Sequence, residues 1–157
     1  MPSFSPCLIN SPCDLLTIPF SADTDFTTLA DYCDRFAEFL IETDYPALRL
    51  ALCGRLADCL TLLRPTLNDP IPPHLFDRLT VDILPASTPR FEPDSDLLCD
   101  YCLALAQLLT KNAPPPKMAQ MLTGLMADLV WYFADEMRAP RWVRTADGVK
   151  RIDEVAA

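Results

Sequence analysis

Four aspartates stand where paired carboxylates could do chemistry. Asp31 lies about as far before the turn at Tyr45-Pro46 as Asp58 lies after it, and Asp100 and Asp128 flank Pro114 in the same way. In an antiparallel helical hairpin each residue rises ~1.5 Å, so each pair falls at one height. Carboxylates gathered in this way could bind Mg²⁺ or another hard cation. The chain would then be a carboxylate-metal-dependent enzyme of the helical-bundle type. The helical periodicity argues otherwise. Asp58 and Asp128 point about 160° from Leu56 and Met126, away from the apolar stripe. Asp31 and Asp100 lie in the early part of their helices, where acids favour the helix dipole. Solvation and dipole stabilisation are the expected roles, and no metal is expected.

The other reactive residue types lead to the same expectation. The cysteines are Cys7, Cys13, Cys33, Cys53, Cys59, Cys99 and Cys102. Cys99-x-x-Cys102 lies inside an apolar helical stretch, whereas a redox pair opens a helix after a strand and a zinc site needs a second ligand pair. An odd count also fits poorly with a closed disulfide framework. Packing thiols are the expectation. The single histidine, His74, lies in Asp69-Pro70-Ile71-Pro72-Pro73-His74 and leaves one candidate base for a nucleophile. No Gly-x-Ser-x-Gly, His-Glu-x-x-His or phosphate loop occurs, so no catalytic residue and no cofactor are assigned.

Composition narrows the partners. The chain has 157 residues and a net charge of −9, from 22 acidic and 13 basic side chains. Its pI near 4.4 argues against gripping nucleic-acid phosphates. Residues 1–45 hold eight acids and one base, while residues 138–157 hold five bases and three acids. Half of the residues are hydrophobic, which excludes disorder of the whole chain and predicts a single domain. No apolar run reaches the ~18 residues of a membrane span, and the start lacks the basic and apolar regions of a signal peptide. A cytoplasmic protein with no membrane association is expected.

The elements that carry these residues repeat. Asp31-Tyr32-Cys33 recurs as Asp100-Tyr101-Cys102, 69 positions on, and Ala37, Leu40 and Pro46 match Ala106, Leu109 and Pro115. After a slip of one residue, Leu52, Gly54, Ala57 and Asp58 match Leu122, Gly124, Ala127 and Asp128. The pattern predicts repeat 1 at about 12–64 and repeat 2 at about 75–138. Each begins with a β-like segment (14–20, then 78–84) and a loop with an aspartate N-cap, Asp23 or Asp25 and then Asp94. A first helix follows with Phe26, Leu29, Cys33, Phe36 and Leu40 on one face. The second helix starts at Pro46, or runs over about 117–138 in repeat 2. For Pro73 to Leu84 a short helix is the competing expectation. Gly54 and Gly124 inside helices suggest close approach of another backbone.

The expected fold is mainly α, with α+β character from a minor sheet. Two pseudo-symmetric helical hairpins form a four-helix core, accompanied by short strands and a C-terminal basic β-hairpin over 141–152 around Asp147-Gly148. Trp131 either covers the edge of that hairpin or marks an interface.

With no catalytic motif, the sequence points to a non-catalytic acidic protein-binding module. It would act as an inhibitor, regulator or adaptor, of the kind phages and mobile elements encode, and could mimic nucleic-acid charge. The candidate binding residues are Asp23, Asp25, Asp94 and Asp96, with Trp131, Arg141, Trp142 and Arg144 near the C-terminus. The partner is expected to be a protein with a basic surface, met by a monomer or homodimer. Direct nucleic-acid binding is not expected. A small acidic secretion or assembly chaperone is the other non-enzymatic reading.

Overall fold

A computed structural model describes residues 10–88 and 90–156; Cys7 lies outside them. The chain is mainly helical, with one two-stranded antiparallel sheet among the described residues. It divides into two compact units, Met1–Ile83 and Leu84–Ala157.

The first unit contains α1 (Pro12–Thr17), α2 (Phe26–Glu42) and α3 (Pro46–Leu63), then 3₁₀ turns at Arg64–Thr66, Pro73–Leu75 and Asp77–Leu79. Expected as β-like, residues 14–17 instead belong to α1. A capping box explains the difference: the Asp14 amide donates to Ser11 Oγ at 3.3 Å, and the Ser11 amide to Asp14 Oδ2 at 3.2 Å. Pro12 adds its preset φ at the first helical position. Ile18 is extended and Pro19 follows, so the helix stops there.

Residues 78–84, also expected as a strand, form the end of a 3₁₀ turn and then irregular chain. The β-branched residues favour extension, but no described strand pairs with them, and Val81, Ile83 and Leu84 are exposed. The short-helix expectation for Pro73 to Leu84 holds as the two 3₁₀ turns.

Asp25 caps α2 and Tyr45-Pro46 opens α3, so the two helices form an antiparallel hairpin. Its seam is closed by α1. Leu15, Leu29, Phe36, Leu52 and Cys59 are fully buried, with Leu16, Ile18 and Phe20 packed against them. Arg55 holds the exit of α1. Its Nη2 donates to the Ile18 carbonyl, and its Cζ lies 4.2 Å from the centroid of the Phe20 ring. Phe20 also meets Tyr32, with ring centroids 6.1 Å apart.

In the second unit, α4 (Ser95–Lys111) and α5 (Pro116–Arg138) form a hairpin, followed by β1 (Trp142–Thr145), β2 (Gly148–Arg151) and α6 (Ile152–Val155). Helices α2 and α4 are both 17 residues long, with aspartate caps 69 positions apart at Asp25 and Asp94. Leu98, in register with Leu29, is fully buried. The C-terminal hairpin pairs Trp142 with Arg151 and Thr145 with Gly148. Its turn residues are Ala146 and Asp147, and Gly148 supplies the positive φ of +110° one position later.

The glycine expectation finds no contact within either hairpin. Among the described residues, a Cβ added at Gly54 or Gly124 would meet nothing within 4 Å, so the packing of its own hairpin requires neither one. Gly54→Ala and Gly124→Ala should therefore each stabilise the protein, by up to about 1 kcal/mol, in urea unfolding. Loss of stability would mean that a close contact exists. The Asp25 cap yields a second expectation. Burial pushes its carboxyl up, but bonds from Thr27 Oγ1 (2.6 Å), the Thr28 amide (3.0 Å) and Thr28 Oγ1 (3.0 Å) together outweigh this and hold it below 3.8. A depressed carboxyl contributes stability above its unfolded value and loses it as pH falls through the native one. Asp25→Ala should cost about 1 kcal/mol at neutral pH, and the difference from wild type should shrink below pH 3.8.

Candidate functional site

The first unit has a groove of about 400 Å³ between the loop entering α2 and the chain leaving α3. Phe26, Leu67, Ile71 and Pro72 supply apolar walls, and Asp23, Asp25, Asp69 and His74 supply the polar groups. Each wall is fixed locally. On one side Ser21 and Thr24 bond reciprocally: the Ser21 amide donates to Thr24 Oγ1 at 3.0 Å, and the Thr24 amide to the Ser21 carbonyl at 3.0 Å. On the other, the buried Leu75 anchors the proline-rich chain, and its amide donates to the Pro72 carbonyl at 3.0 Å. Local hydrogen bonds and the anchoring of Leu75 thus hold both walls.

The aspartates expected to bind a partner divide by task. The Asp25 carboxylate is occupied by its three donors, and Asp94 accepts from the Leu97 amide at 2.8 Å as the cap of α4. Asp23 and Asp69 are exposed at the groove. Asp96 is exposed in the first turn of α4, in the second unit. Sequence reasoning missed Asp69, Phe26 and Ile71 as groove residues. The run Asp69-Pro70-Ile71-Pro72-Pro73 was the available signal, since prolines stiffen a wall without completing a helix.

The C-terminal candidates separate likewise. Trp131 and Trp142 are 65% and 63% exposed. Arg141 donates from Nη1 to the carbonyls of Met137 and Ala139, both at 3.0 Å, and so finishes the end of α5. Arg144 is exposed on β1.

The aspartates weighed as metal ligands are not gathered. Asp31 pairs with Arg78 at 2.9 Å, while Asp58, Asp100 and Asp128 are exposed on their helices. Among the described residues no group of three or more His, Cys, Asp or Glu side chains is placed to hold a metal ion. No helix among them is long and apolar enough to cross a membrane.

One thiol pair does come together. Cys33 Sγ lies 3.6 Å from Cys59 Sγ, and Cys59 donates to the Leu29 carbonyl at 3.3 Å. Burial first, then the neighbouring Cys33, push the Cys59 thiol up to about 12. A thiol held protonated and buried is a packing group, not a nucleophile. Cys99 is exposed and Cys102 half-buried in mid-α4.

No protein-family model, curated protein or solved structure matches this chain. The site's meaning therefore rests on its own geometry. The cysteines offer a direct check. Near pH 8 a thiol reagent should modify the exposed Cys13, Cys53 and Cys99 in the native protein, and Cys59 only after unfolding. Rapid native labelling of Cys59, read by peptide mass, would contradict the packing assigned to it.

Proposed function

We propose that the chain is a non-catalytic acidic docking module, an inhibitor, regulator or adaptor that engages a protein with a basic surface. The groove of the first unit carries this reading. It places the exposed carboxylates of Asp23 and Asp69 beside the apolar walls of Phe26, Leu67 and Ile71. A lysine or arginine set among apolar or proline residues complements that surface. Its charged head meets the carboxylates while its methylenes lie on the walls. The net charge of −9 would draw a basic partner in and repel nucleic acid. Cofactor binding is no part of this reading.

Affinity purification from the native cell, run in parallel with Asp23→Asn/Asp69→Asn, tests it. The expected result is a basic protein retained at low salt, and lost both with the variant and at about 0.5 M salt, where the Debye length falls to a few ångströms. Retention of the same protein by the variant, undiminished by salt, would overturn the groove as the docking site.

A further inference from the structure

The sulfurs of Cys33 and Cys59 meet across the seam of the α2–α3 hairpin, inside one unit. Cys33 lies on α2 and is half-buried, Cys59 lies on α3 and is fully buried, and they are 26 positions apart in the chain. Their hydrogen bonds run in one direction. The Cys33 thiol donates to Cys59 Sγ at 3.6 Å, and the Cys59 thiol donates to the Leu29 carbonyl at 3.3 Å. The Cys59 proton is thereby directed away from Cys33, and a sulfur lone pair faces it.

We infer that Cys33 and Cys59 form a reversible oxidation site, at which hydrogen peroxide converts the two thiols into a disulfide that ties α2 to α3. Cys33 is the entry point, because it alone of the pair is accessible. Its thiolate attacks one peroxide oxygen: an S–O bond forms, the O–O bond breaks, and the leaving hydroxide is protonated to water. The Cys59 sulfur then attacks the Cys33 sulfur. The S–S bond forms, the S–O bond breaks, and the second hydroxide leaves as water with the proton that Cys59 gives up. Two thiols and one peroxide thus become one disulfide and two waters. The sulfurs lose two electrons and the peroxide gains them.

The protonated state of Cys59 slows the second step without forbidding it. Burial and the neighbouring Cys33 push its thiol up to about 12, while the charge of Arg55 pulls the other way. At that value about one molecule in 10⁴ carries the thiolate at pH 8. Well-oriented intramolecular reactions reach effective molarities of ~10⁵–10⁸ M, and the attacking sulfur already lies 3.6 Å from its target. Proximity outweighs the scarcity of thiolate. An unmodified Cys33 carries no leaving group, so in the reduced protein Cys59 only packs.

The bond suits its place in the fold. A disulfide holds its sulfurs ~2 Å apart, a closer approach within reach of side-chain rotation at the half-buried Cys33. Cys33 stands about two turns into α2, and Cys59 about one turn before the end of α3. The link would therefore clamp the open end of the hairpin, from which the two walls of the groove extend.

Non-reducing peptide mapping of the full chain, after dilute hydrogen peroxide and alkylation of the remaining thiols, tests this. The expected product joins the Cys33 and Cys59 peptides with loss of two hydrogens. Its Tm should rise by roughly 5–15 °C, because the link restricts the unfolded chain, and should fall back when dithiothreitol reduces the bond. Cys33→Ser should keep its helicity by circular dichroism. Given the same peroxide, it should show neither link nor shift, which separates the disulfide from oxidation of methionines and exposed thiols. Should Cys33→Ser fail to fold, Cys33→Ala replaces it with the same expectation. Conversion of Cys33 to a sulfinic acid with Cys59 left as a free thiol would overturn the proposal. So would oxidation of the exposed Cys13, Cys53 and Cys99 that leaves Cys33 and Cys59 both reduced, or a link that forms only with loss of helicity.

Discussion

Burial of Leu15 in the seam between α2 and α3 is the contact on which the first unit depends. Six residues of helix would not persist alone in water, because nucleation costs more than so short a run of backbone bonds returns. What holds α1 is the hydrophobic effect acting on Leu15, Leu16, Ile18 and Phe20. At ~1.5–3 kcal/mol for a fully buried side chain, burial of Leu15 together with the partly buried Leu16, Ile18 and Phe20 outweighs the roughly 1 kcal/mol contributed by a capping pair. Arg55 adds direction to that affinity, since a guanidinium on the Ile18 carbonyl and over the Phe20 ring fixes where the chain leaves the helix. With the seam closed, Cys59 is sealed in and its thiol stays protonated.

The second hairpin repeats the 17-residue length and aspartate cap of α2 in α4, while α5 is longer than α3, 23 residues against 18, and no α1-like helix precedes α4 within its unit among the described residues. Leu125 stands in the position of Arg55, so the clamp for an α1-like segment is gone, and apolar side chains occupy the face instead. The first hairpin is completed by its own chain. The acidic charge is divided between tasks in a related way. Asp25 and Asp94 are consumed by helix starts, Asp31 by Arg78, and Asp23 and Asp69 are exposed at the groove.

Much of this was legible before the structure. Asp25, Pro46 and Pro140 mark helix boundaries because a cap, a fixed φ and a missing amide act locally, and Asp147-Gly148 marks the hairpin turn for the same reason. Segments decided by tertiary contacts were not legible. Ile18 and Phe20 look β-like, but whether residues 14–17 form helix or strand depends on Ser11 and Asp14 and on a seam that receives Leu15. Residues 78–84 have strand composition and no strand to join. The approach of Cys33 to Cys59 could have been read from the turn, since the two lie nearly symmetrically about Pro46 on inward stripes. The groove could not, because Asp23 and Asp69 are brought together only by the path of the chain after α3.

Native-state hydrogen exchange on the full chain, followed by peptide mass for the wild type and Leu15→Ala, bears most directly on the dependence of the α2–α3 hairpin on α1. The account predicts faster exchange of the α2 and α3 amides in the variant, while those of α4 and α5 keep their wild-type rates. Unchanged protection of α2 and α3 in the variant would contradict it.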